Sequence, residues 1–386
     1  MIVIAHNRYR STQLSGENLA VDAEVAALQA AGVALVRLER HSDALVAAGP
    51  LTRLRTGLAL GGSATRRAAL RAELQALDAD LVHAHNLFPL FGTDLWQAAH
   101  DLGIPLVQTV HNHRLFATAT RLLGSWGARR PRDPAEAAHL QRLSPLHGGR
   151  LTDWFYQRGL TRAWTQGLPR LVSTWIVHSG FHRDLLVAAG LDPARIVVRL
   201  HALPGKRTVA AGDPAAGTAG LFVGRLKPEK GLDLLAAAWP REFPLEIVGD
   251  GPEADLARSL AGERFRGALP PAQVASAMAR ARFLIVASRV YEGGGLPLVA
   301  LEALAAGTPV LAPALGALPE LIAERGVGWC FPPDDPAALT AAIRRAWAEA
   351  PDLRPRCQAV VERDHDPARW LAALQAVYAA QRGAAS

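Results

Sequence analysis

The chain has 386 residues, of which 50% are hydrophobic and 20% are charged, and this composition excludes a wholly disordered protein. Its length favours two domains of about 150–200 residues each. The 42 basic and 35 acidic residues give a net charge of +7, which favours anionic partners such as phosphorylated small molecules or lipid headgroups. No run of basic residues with interleaved aromatics occurs, so we expect no nucleic-acid partner.

Two cysteines, Cys330 and Cys357, are too few for a disulfide framework and too far apart for a Cys-x-x-Cys motif, and we interpret both as packing residues. The apolar run at Met1 is broken at His6, so we expect no signal peptide. No uncharged run of about 20 residues lacks proline and glycine, and we expect no transmembrane helix. The expected location is the cytoplasm, and peripheral contact with an anionic membrane surface stays open.

The first half of the chain alternates short apolar runs with longer amphipathic stretches, which predicts a parallel α/β sheet. The predicted strands are Met1–His6, Val33–Leu38, Leu81–His85, Leu106–His111, Leu171–Ser179 and Arg195–Leu200. Helices are predicted over Asn18–Ala31 and Ala64–Leu77. Polar residues at strand ends are typical of a ligand crevice. Because His83 and His85 alternate on one strand, we expect only one of them to face that crevice and the other to be a core histidine.

The stretch from about Arg114 to Arg170 is rich in arginine, proline and aromatic residues. Four of its residues fall on one face of a predicted helix: Leu151, Trp154, Phe155 and Arg158. Two interpretations remain open. The face packs against the core, or it forms an acceptor-side or membrane-facing surface.

Leu203–Gly220 is rich in proline, glycine and small residues, and it is the best candidate for a domain linker. A second α/β series follows, with predicted strands at Gly220–Gly224, Leu245–Gly249, Phe283–Ser288 and Val310–Ala312. The chain is therefore predicted to form two Rossmann-like α/β domains facing a cleft. Their expected boundaries are residues 1–203 and 220–365, joined by a linker at 204–219, with a last helix at 366–386 that returns to the first domain.

The most informative segment is residues 222–231, F-V-G-R-L-K-P-E-K-G, in which an apolar strand ends at a glycine and cations follow. Arg225 can place its planar guanidinium on phosphate oxygens, and Lys230 adds a point charge. Gly224 permits a close approach of the backbone. The helix amides beyond Gly231 also favour an anion. A charged, solvated turn is the alternative, but the position at a strand end favours an anion site.

The next strand ends in V-G-D-G-P, which contains Gly249 and Gly251. Backbone at such glycines could contact a nucleobase or a phosphate. A plain strand-to-helix turn would have the same sequence, so this motif alone does not decide between a binding role and a structural one.

A glycine-rich loop follows the third strand of this series. It contains Glu292, Gly293, Gly294, Gly295 and Leu296. Its amides could cradle a phosphate or a sugar oxygen. The helix that begins near Pro297 carries Glu302 among apolar residues, where a carboxylate is costly unless it is paired or meets a ligand. A salt bridge to an arginine is the structural alternative for Glu302.

In their order and spacing these three segments resemble the retaining nucleotide-sugar glycosyltransferases of the GT-B fold, of the bacterial group 1 type. That family has a G-R-[LF]-x-x-x-K-G segment, a G-x-G-P turn and an E-x7-E motif followed by A-[ML]-A-x-G-x-P-V. Residues 224–231, 249–252 and 302–310 match these patterns. The resemblance covers about residues 220–345 well. In the first half it is limited to S-G-E-N at 15–18, D-L-V-H-A-H at 80–85 and T-V-H-N at 109–112.

The resemblance implies roles for residues of the second domain, which would bind the nucleotide-sugar donor. Arg225 and Lys230 would hold the donor diphosphate and stabilise the departing nucleotide. Glu302 would accept hydrogen bonds from the ribose hydroxyls. Glu292 would hold the donor sugar together with the loop amides after it. The remaining implied donor contacts are the backbone of Gly224, Gly249, Gly251, Gly293, Gly294, Gly295 and Leu296.

The first domain would be the acceptor side. The resemblance implies that His111 lies near the reacting sugar and that Gly16 lies near the diphosphate and the acceptor. The acceptor would be a saccharide, a lipid-linked molecule or a small molecule.

One spacing differs from the family pattern. The family places its two glutamates eight positions apart, whereas Glu292 and Glu302 are ten apart. Either Glu292 keeps its role and the glycine loop absorbs two extra residues, or Gly294 occupies the position of the family glutamate. We favour the first, because the extra residues are glycines beside the loop.

Two other clusters have the residue types of a metal site but do not lie where a metal site is expected. Asp78 and Asp80 form a D-x-D pattern before a strand, at the edge of the sheet away from the crevice, so we expect no metal there. Asp364 and His365 precede Asp366, which we interpret as the N-cap of the last helix.

The sequence therefore predicts a glycosyltransferase of hexosyl type that uses a UDP-, GDP- or ADP-sugar, retains anomeric configuration and requires no metal or other cofactor. Two alternatives stay open. One is a nucleotide-sugar epimerase of similar fold, and the other is a catalytically silent nucleotide-sugar-binding protein.

Overall fold

The computed structural model describes residues 1–11, 16–111, 150–202, 217–289 and 297–383. These residues form two compact units. The first unit contains the described residues up to Arg199 together with those from Ala368 onward, and the second runs from Leu200 to Pro367. Most of the predicted linker lies outside the described residues, so its limits remain a prediction.

The first unit is built on a parallel sheet in the order β2-β1-β3-β4-β5-β6. Its strands are β1 (Ile2–Arg8), β2 (Leu35–His41), β3 (Leu81–Ala84), β4 (Leu106–Thr109), β5 (Thr174–Val177) and β6 (Ile196–Val198). Its helices, in chain order, are α1 (Gly16–Ala30), α2 (Asp43–Ala47), α3 (Pro50–Leu58), α4 (Ala64–Ala76), α5 (Asp94–Asp101), α6 (Arg150–Thr165) and α7 (Gly180–Ala188). The central strand β1 pairs with β2 from Ile2 opposite Leu35 and with β3 from Ile2 opposite Leu81. Helices cover both faces, which is why the strands are nearly continuous apolar runs.

The start of β2 differs from the prediction by two residues. Val33 was expected to begin the strand, but its amide donates a hydrogen bond to the carbonyl oxygen of Leu28 at 3.0 Å. Gly32 adopts φ +75°, so these residues form a left-handed cap that ends α1. The strand therefore begins at Leu35.

The second unit is a parallel sheet in the order β11-β10-β9-β7-β8. Its strands are β7 (Gly220–Val223), β8 (Leu245–Val248), β9 (Phe283–Ile285), β10 (Val310–Pro313) and β11 (Gly328–Phe331). Its helices are α8 (Leu232–Ala238), α9 (Ala254–Ala261), α10 (Pro271–Arg280), α11 (Leu298–Ala305) and α12 (Pro336–Asp364). The two parallel α/β units confirm the predicted pair of Rossmann-like domains. Neither β11 nor α12 was among the predicted elements.

The last helix, α13 (Pro367–Gly383), belongs to the first unit. It buries Leu374, Val377 and Tyr378 in a cluster with Ile2, Leu81 and other residues of the first sheet. The return of this helix to the first domain is thus part of the observed fold. Among the described residues, no helix has both the length and the apolar character needed to cross a bilayer.

Candidate functional site

The turns that follow β7 and β8 pack backbone against backbone. The contact is so close that only glycine, which lacks a Cβ, fits there. Gly249 has φ +151°, and a Cβ there would lie 1.8 Å from the carbonyl oxygen of Gly224. A Cβ at Gly251 would lie 2.4 Å from the carbonyl oxygen of Leu226. The Leu226 amide donates to the Asp250 carbonyl at 2.9 Å. The turn after β7 is therefore held rigidly on the turn after β8.

The two predicted diphosphate ligands lie on this same supported turn. Arg225 is exposed, and Lys230 is half-buried at the end of a short 3₁₀ segment, Pro228–Lys230. Gly231 follows at φ +71°, and a Cβ there would lie 2.1 Å from the carbonyl oxygen of Ala287. The segment carrying both cations is thus fixed between the ends of β8 and β9, which limits the freedom of its backbone.

The amides of Gly249 and Gly251 are already used within the protein. The Gly249 amide donates to the Gly267 carbonyl and the Gly251 amide to an Asp250 carboxylate oxygen, both at 2.8 Å. A donor molecule at this turn would have to contact other atoms of it. The donor-binding role of these glycines stays a prediction, and the structure adds a packing role.

A charged cluster that the sequence analysis missed lies at the same end of the sheet. Arg289, which follows β9, forms ion pairs with Asp233 at 2.8 Å and with Asp334 at 3.1 Å. Its amide donates to the Glu229 carbonyl at 3.0 Å. Burial, followed by the charge of Asp233, raises the pKa of Glu253 above its usual value. Arg289 directly follows the predicted strand Phe283–Ser288, and that position was the one available signal in the sequence.

Glu302 lies on α11 as a half-buried residue between the buried Leu301 and Ala303. Its helix thus presents the carboxylate away from the core, a position compatible with either a ligand or a salt bridge. The predicted sugar-contacting loop lies outside the described residues: Glu292, Gly293, Gly294, Gly295 and Leu296. Whether Glu292 or Gly294 takes the sugar position stays a prediction.

In the first unit, a buried ion pair joins α1 to the end of β6. Glu24 and Arg199 are both less than 5% exposed, and Nη2 of Arg199 donates to Oε2 of Glu24 at 2.5 Å. Burial by itself would raise the pKa of Glu24, but the charge of Arg199 and the adjacent histidines hold it well below its usual value. The guanidinium also lies 4.4 Å from the ring centre of Trp370 on α13. Glu24 is therefore an ionised carboxylate inside the core.

Two histidines meet the other oxygen of Glu24. Nδ1 of His83 and Nε2 of His85 each lie 3.2 Å from Oε1. We expected only one of the two histidines to face the crevice, but both are buried and face the same carboxylate, with their rings 4.2 Å apart. The physical reason is that residues two apart on a strand point to the same face, so strand alternation groups His83 with His85 and does not separate them. Oε1 of Glu24 and Nε2 of His85 lie close together but are not aligned for a hydrogen bond. This contact is therefore chiefly electrostatic.

His83 is held from two further sides. Its Nδ1 lies 2.6 Å from the hydroxyl of Tyr378 and its Nε2 lies 2.8 Å from the hydroxyl of Thr109. Burial, and then the charge of His85, keep the pKa of His83 well below its usual value, so the ring is neutral. His83 is thus a structural part of the network.

His111, the predicted residue near the reacting sugar, is half-buried two residues after the end of β4 and connects to this network. Its Nε2 lies 2.8 Å from Nδ1 of His85, and the two rings are stacked with centres 5.1 Å apart. Gly16 is the exposed first residue of α1. On the same helix, Asn18 accepts a hydrogen bond from His6 at 2.9 Å. Burial, then the charge of His85, lowers the pKa of His6 to about 4.

The donor atoms of Glu24, His83 and His85 lie within 4.8 Å of one another, a spacing that a metal ion would accept. The guanidinium of Arg199, however, forms an ion pair with the other carboxylate oxygen of Glu24. A divalent cation beside that positive charge would be repelled. We therefore interpret the cluster as a hydrogen-bonding and ion-pairing network.

The two sequence clusters that resemble metal sites have structural partners. Asp80 pairs with the amino group of Met1 at 2.9 Å and with Arg382 at 2.6 Å, at the amino end of β3. Asp364 pairs with Arg325 at 2.9 Å. His365 donates through Nδ1 to the His201 carbonyl at 2.5 Å. Both clusters therefore tie chain segments together.

An exposed apolar face covers part of the first unit. Leu51, Leu54 and Leu58 lie on one side of α3 and are each 45–59% exposed. Phe155 of α6 packs against Gly57 of α3, and the neighbouring Trp154 is 52% exposed. The predicted face of α6 is therefore split, because Phe155 is buried while Trp154 faces outward. We call the three leucines and Trp154 the α3 face.

The comparisons with known proteins agree with this architecture. Residues 21–200 match the family model described as Glycosyltransferase Family 4, and residues 218–349 match Glycosyl transferases group 1. The chain is 28% identical to glycogen synthase of Mycobacterium tuberculosis over 83% of this chain and 75% of that protein. It is 39% identical to phosphatidyl-myo-inositol mannosyltransferase of Mycolicibacterium smegmatis, over 34% of this chain and 36% of that protein.

Among solved structures, Anabaena HepE in complex with UDP aligns with a TM-score of 0.62 and 16% identity, over 98% of this chain and 99% of that one. At that identity the likeness concerns the fold alone.

Proposed function

Because the chain belongs to the group 1 glycosyltransferases of the GT-B fold, we propose that it transfers a hexosyl group from a nucleoside-diphosphate sugar to an acceptor with retention of anomeric configuration. The observation that carries this proposal is the rigid turn after β7, which presents Arg225 and Lys230 within the region matched by the group 1 model. A diphosphate is the part of such a donor that needs fixed cations most.

Arg225 and Lys230 would bind the diphosphate and stabilise the charge that develops on it as the sugar departs. A preorganised turn supports this role because its backbone does not reorganise during the reaction. Glu302 would accept hydrogen bonds from the ribose hydroxyls, and Glu292 with the amides after it would hold the sugar. His111 would lie near the reacting sugar, and Gly16 would lie near the diphosphate and the acceptor.

The proposed chemistry is a front-face displacement. The acceptor oxygen forms a bond to the anomeric carbon while the bond from that carbon to the diphosphate oxygen breaks. The acceptor hydroxyl proton passes to an oxygen of the departing phosphate, so atoms and charges balance without an enzymic nucleophile. The cations of the turn supply the charge neutralisation, and we propose that no metal ion is needed.

Two other functions remain as alternatives. A nucleotide-sugar epimerase of similar fold would interconvert donors without transferring a sugar, and a silent binding protein would bind them without chemistry. Both are separable from a transferase by one assay, because many transferases slowly pass the sugar to water when no acceptor is present.

The first prediction tests this function directly. We expect UDP, GDP or ADP to raise the midpoint of thermal unfolding, since a ligand at 100 times its Kd stabilises the native state by about 2.7 kcal/mol. The corresponding donor among UDP-glucose, GDP-mannose and ADP-glucose should be hydrolysed slowly without acceptor, equally well with EDTA. Asp80→Asn serves as the control and should leave this rate unchanged, because Asp80 pairs with Arg382 and the Met1 amino group.

Each alternative has a distinct outcome in the same assay. Binding without hydrolysis would favour the silent binding protein, and formation of an epimeric sugar nucleotide would favour the epimerase. Loss of hydrolysis in EDTA would contradict the proposal that no metal is needed.

We further propose that the acceptor is presented at an anionic membrane surface and that the α3 face contacts that surface. The mannosyltransferase relative carries the name of a phospholipid, phosphatidyl-myo-inositol. The leucines of the α3 face project outward beside the exposed Arg55. Arg158 lies 5.8 Å from the ring centre of Trp154. Apolar side chains beside arginines suit the boundary between headgroups and acyl chains of an anionic bilayer.

The second prediction concerns this surface. The triple variant Leu51→Ser/Leu54→Ser/Leu58→Ser should bind vesicles of phosphatidylcholine and phosphatidylglycerol about tenfold or more weakly than the unchanged protein, because it loses apolar burial. Cosedimentation measures this binding, and pure phosphatidylcholine should bind poorly. Val187→Ser/Val198→Ser is the matched control, since these valines are exposed elsewhere on the first unit. Equal binding by the triple variant and the control would contradict a role of the α3 face.

A further inference from the structure

The buried pair of Glu24 and Arg199 calls for an explanation beyond stability. Taking two charges out of water is costly, and an apolar pair of similar volume often stabilises a core as well or better. Here the carboxylate uses one oxygen for Arg199 and presents the other to two histidines. The arrangement therefore places a fixed negative charge beside specific ring nitrogens.

That charge determines where His85 carries its proton. An ionised carboxylate 3.2 Å from Nε2 favours a proton on that nitrogen. With its proton on Nε2, His85 has a lone pair on Nδ1, which accepts the hydrogen bond from His111 at 2.8 Å. The donor in that bond must be Nε2–H of His111. In that tautomer Nδ1 of His111 is a hydrogen-bond acceptor.

We propose that Glu24 and His85 are positioning residues that fix His111 in the tautomer with its proton on Nε2. The proposal rests on the proposed function, in which His111 acts on the substrate. It adds that His111 meets a substrate hydroxyl as an acceptor through Nδ1, and not as a donor to a phosphate. Arg199 holds Glu24 ionised, and Tyr378 and Thr109 hold His83 beside it.

The series of contacts from Glu24 through His85 to His111, which we call the relay, also has an electrostatic consequence for the reaction. A substrate hydroxyl that donates a hydrogen bond to Nδ1, without transferring its proton, polarises the His111 ring toward positive charge. The bond from Nε2–H to His85, backed by the Glu24 carboxylate, stabilises that charge. The same groups in the wrong tautomer would place two N–H donors, or two lone pairs, against each other.

The experiment is a double-mutant cycle measured with the sugar nucleotide among UDP-glucose, GDP-mannose and ADP-glucose that is hydrolysed fastest. Glu24→Gln should lower kcat roughly tenfold, a coupling typical of residues in one hydrogen-bonded network. Its Kd for the matching nucleoside diphosphate should hardly change, because the diphosphate would be held by the second unit. In a His111→Ala background, Glu24→Gln should change kcat by less than about twofold.

A matched control separates positioning from loss of stability. Asp94 is a buried carboxylate of the same unit and pairs with Arg66 at 2.5 Å, apart from the histidine network. Asp94→Asn should lower the midpoint of thermal unfolding while kcat per folded molecule stays unchanged. If Glu24→Gln does not fold, Glu24→Gln/Arg199→Met removes both charges and leaves no lone buried ion. That variant should show the same fall in kcat.

The outcomes are distinct. An unchanged kcat for Glu24→Gln in the folded protein, or an equal fall in both backgrounds while His111→Ala is itself damaging, would overturn the relay and leave the proposed function standing. An unchanged kcat for His111→Ala would overturn both the relay and the proposed role of His111. Absence of any sugar-nucleotide hydrolysis in the unchanged protein would count against the proposed function itself.

Discussion

Arg225→Ala should lower kcat/KM for the sugar nucleotide by roughly 30–150-fold, which corresponds to about 2–3 kcal/mol of transition-state binding. The reason is that Arg225 lies on a turn fixed by Gly249 and Gly251, so its charge is already placed before the diphosphate arrives. Steady-state hydrolysis and transfer rates measure the effect. Arg258→Ala is the control, because Arg258 is an exposed arginine of the same unit with a surface ion pair to Asp255.

A second substitution on the same turn sharpens this prediction. Arg225→Ala/Lys230→Ala should lose less than the sum of the two single changes, because both cations act on one diphosphate. Fully additive losses would mean that the two residues act on different groups. A near-normal rate for Arg225→Ala would remove it from the proposed mechanism.

Gly249→Ala should destabilise the second unit by about 3 kcal/mol, the sum of backbone strain and steric overlap. The new Cβ would lie 1.8 Å from the Gly224 carbonyl oxygen, so the two turns must separate. The midpoint of thermal unfolding should fall by roughly 6–12 °C. Differential scanning calorimetry would report this shift, and binding of the nucleoside diphosphate should weaken because Arg225 is displaced with the turn.

The chain offers a matched control for this substitution. Gly262 has φ +56°, and a Cβ there would have no neighbouring atom within 4 Å among the described residues, so Gly262→Ala adds only backbone strain. Its expected cost is about 1 kcal/mol. Equal destabilisation by the two substitutions would show that contact between the turns is unimportant.

The fold was accessible from the sequence because its strands are buried on both faces. Short apolar runs separated by amphipathic stretches indicate buried parallel strands, and Leu81–Ala84 and Leu245–Val248 are examples. The sequence analysis missed elements whose residues break the usual local preferences for helix or strand. Helix α12 continues through Pro351 and Pro355, where sequence punctuation predicts a break. Its buried face, which includes Ile343 and Cys357, keeps it packed despite the lost backbone hydrogen bonds.

The candidate site was predictable only in part, for a related reason. Arg225 and Lys230 belong to one short motif, so their closeness in space can be predicted from the sequence. Glu24 and Arg199 are 175 positions apart, and nothing local in α1 marks Glu24 as buried. A network of this kind depends on sheet order and strand register, which place His85 between Glu24 and His111. Residue types alone do not contain that information.

The place of α13 in the first unit has a consequence for the order in which the protein is made. Tyr378 and Leu374 complete a core that begins with Ile2 and Leu81, yet the ribosome delivers them after the whole second unit. Among the described residues the second unit is one continuous stretch, from Leu200 to Pro367, and this stretch is free to close its core during translation. Joining Leu81 to Leu374 closes a loop of about 290 residues, whose entropic cost grows only logarithmically with length. The core of the first unit therefore cannot be completed until α13 has been synthesised, although most of that unit is synthesised first.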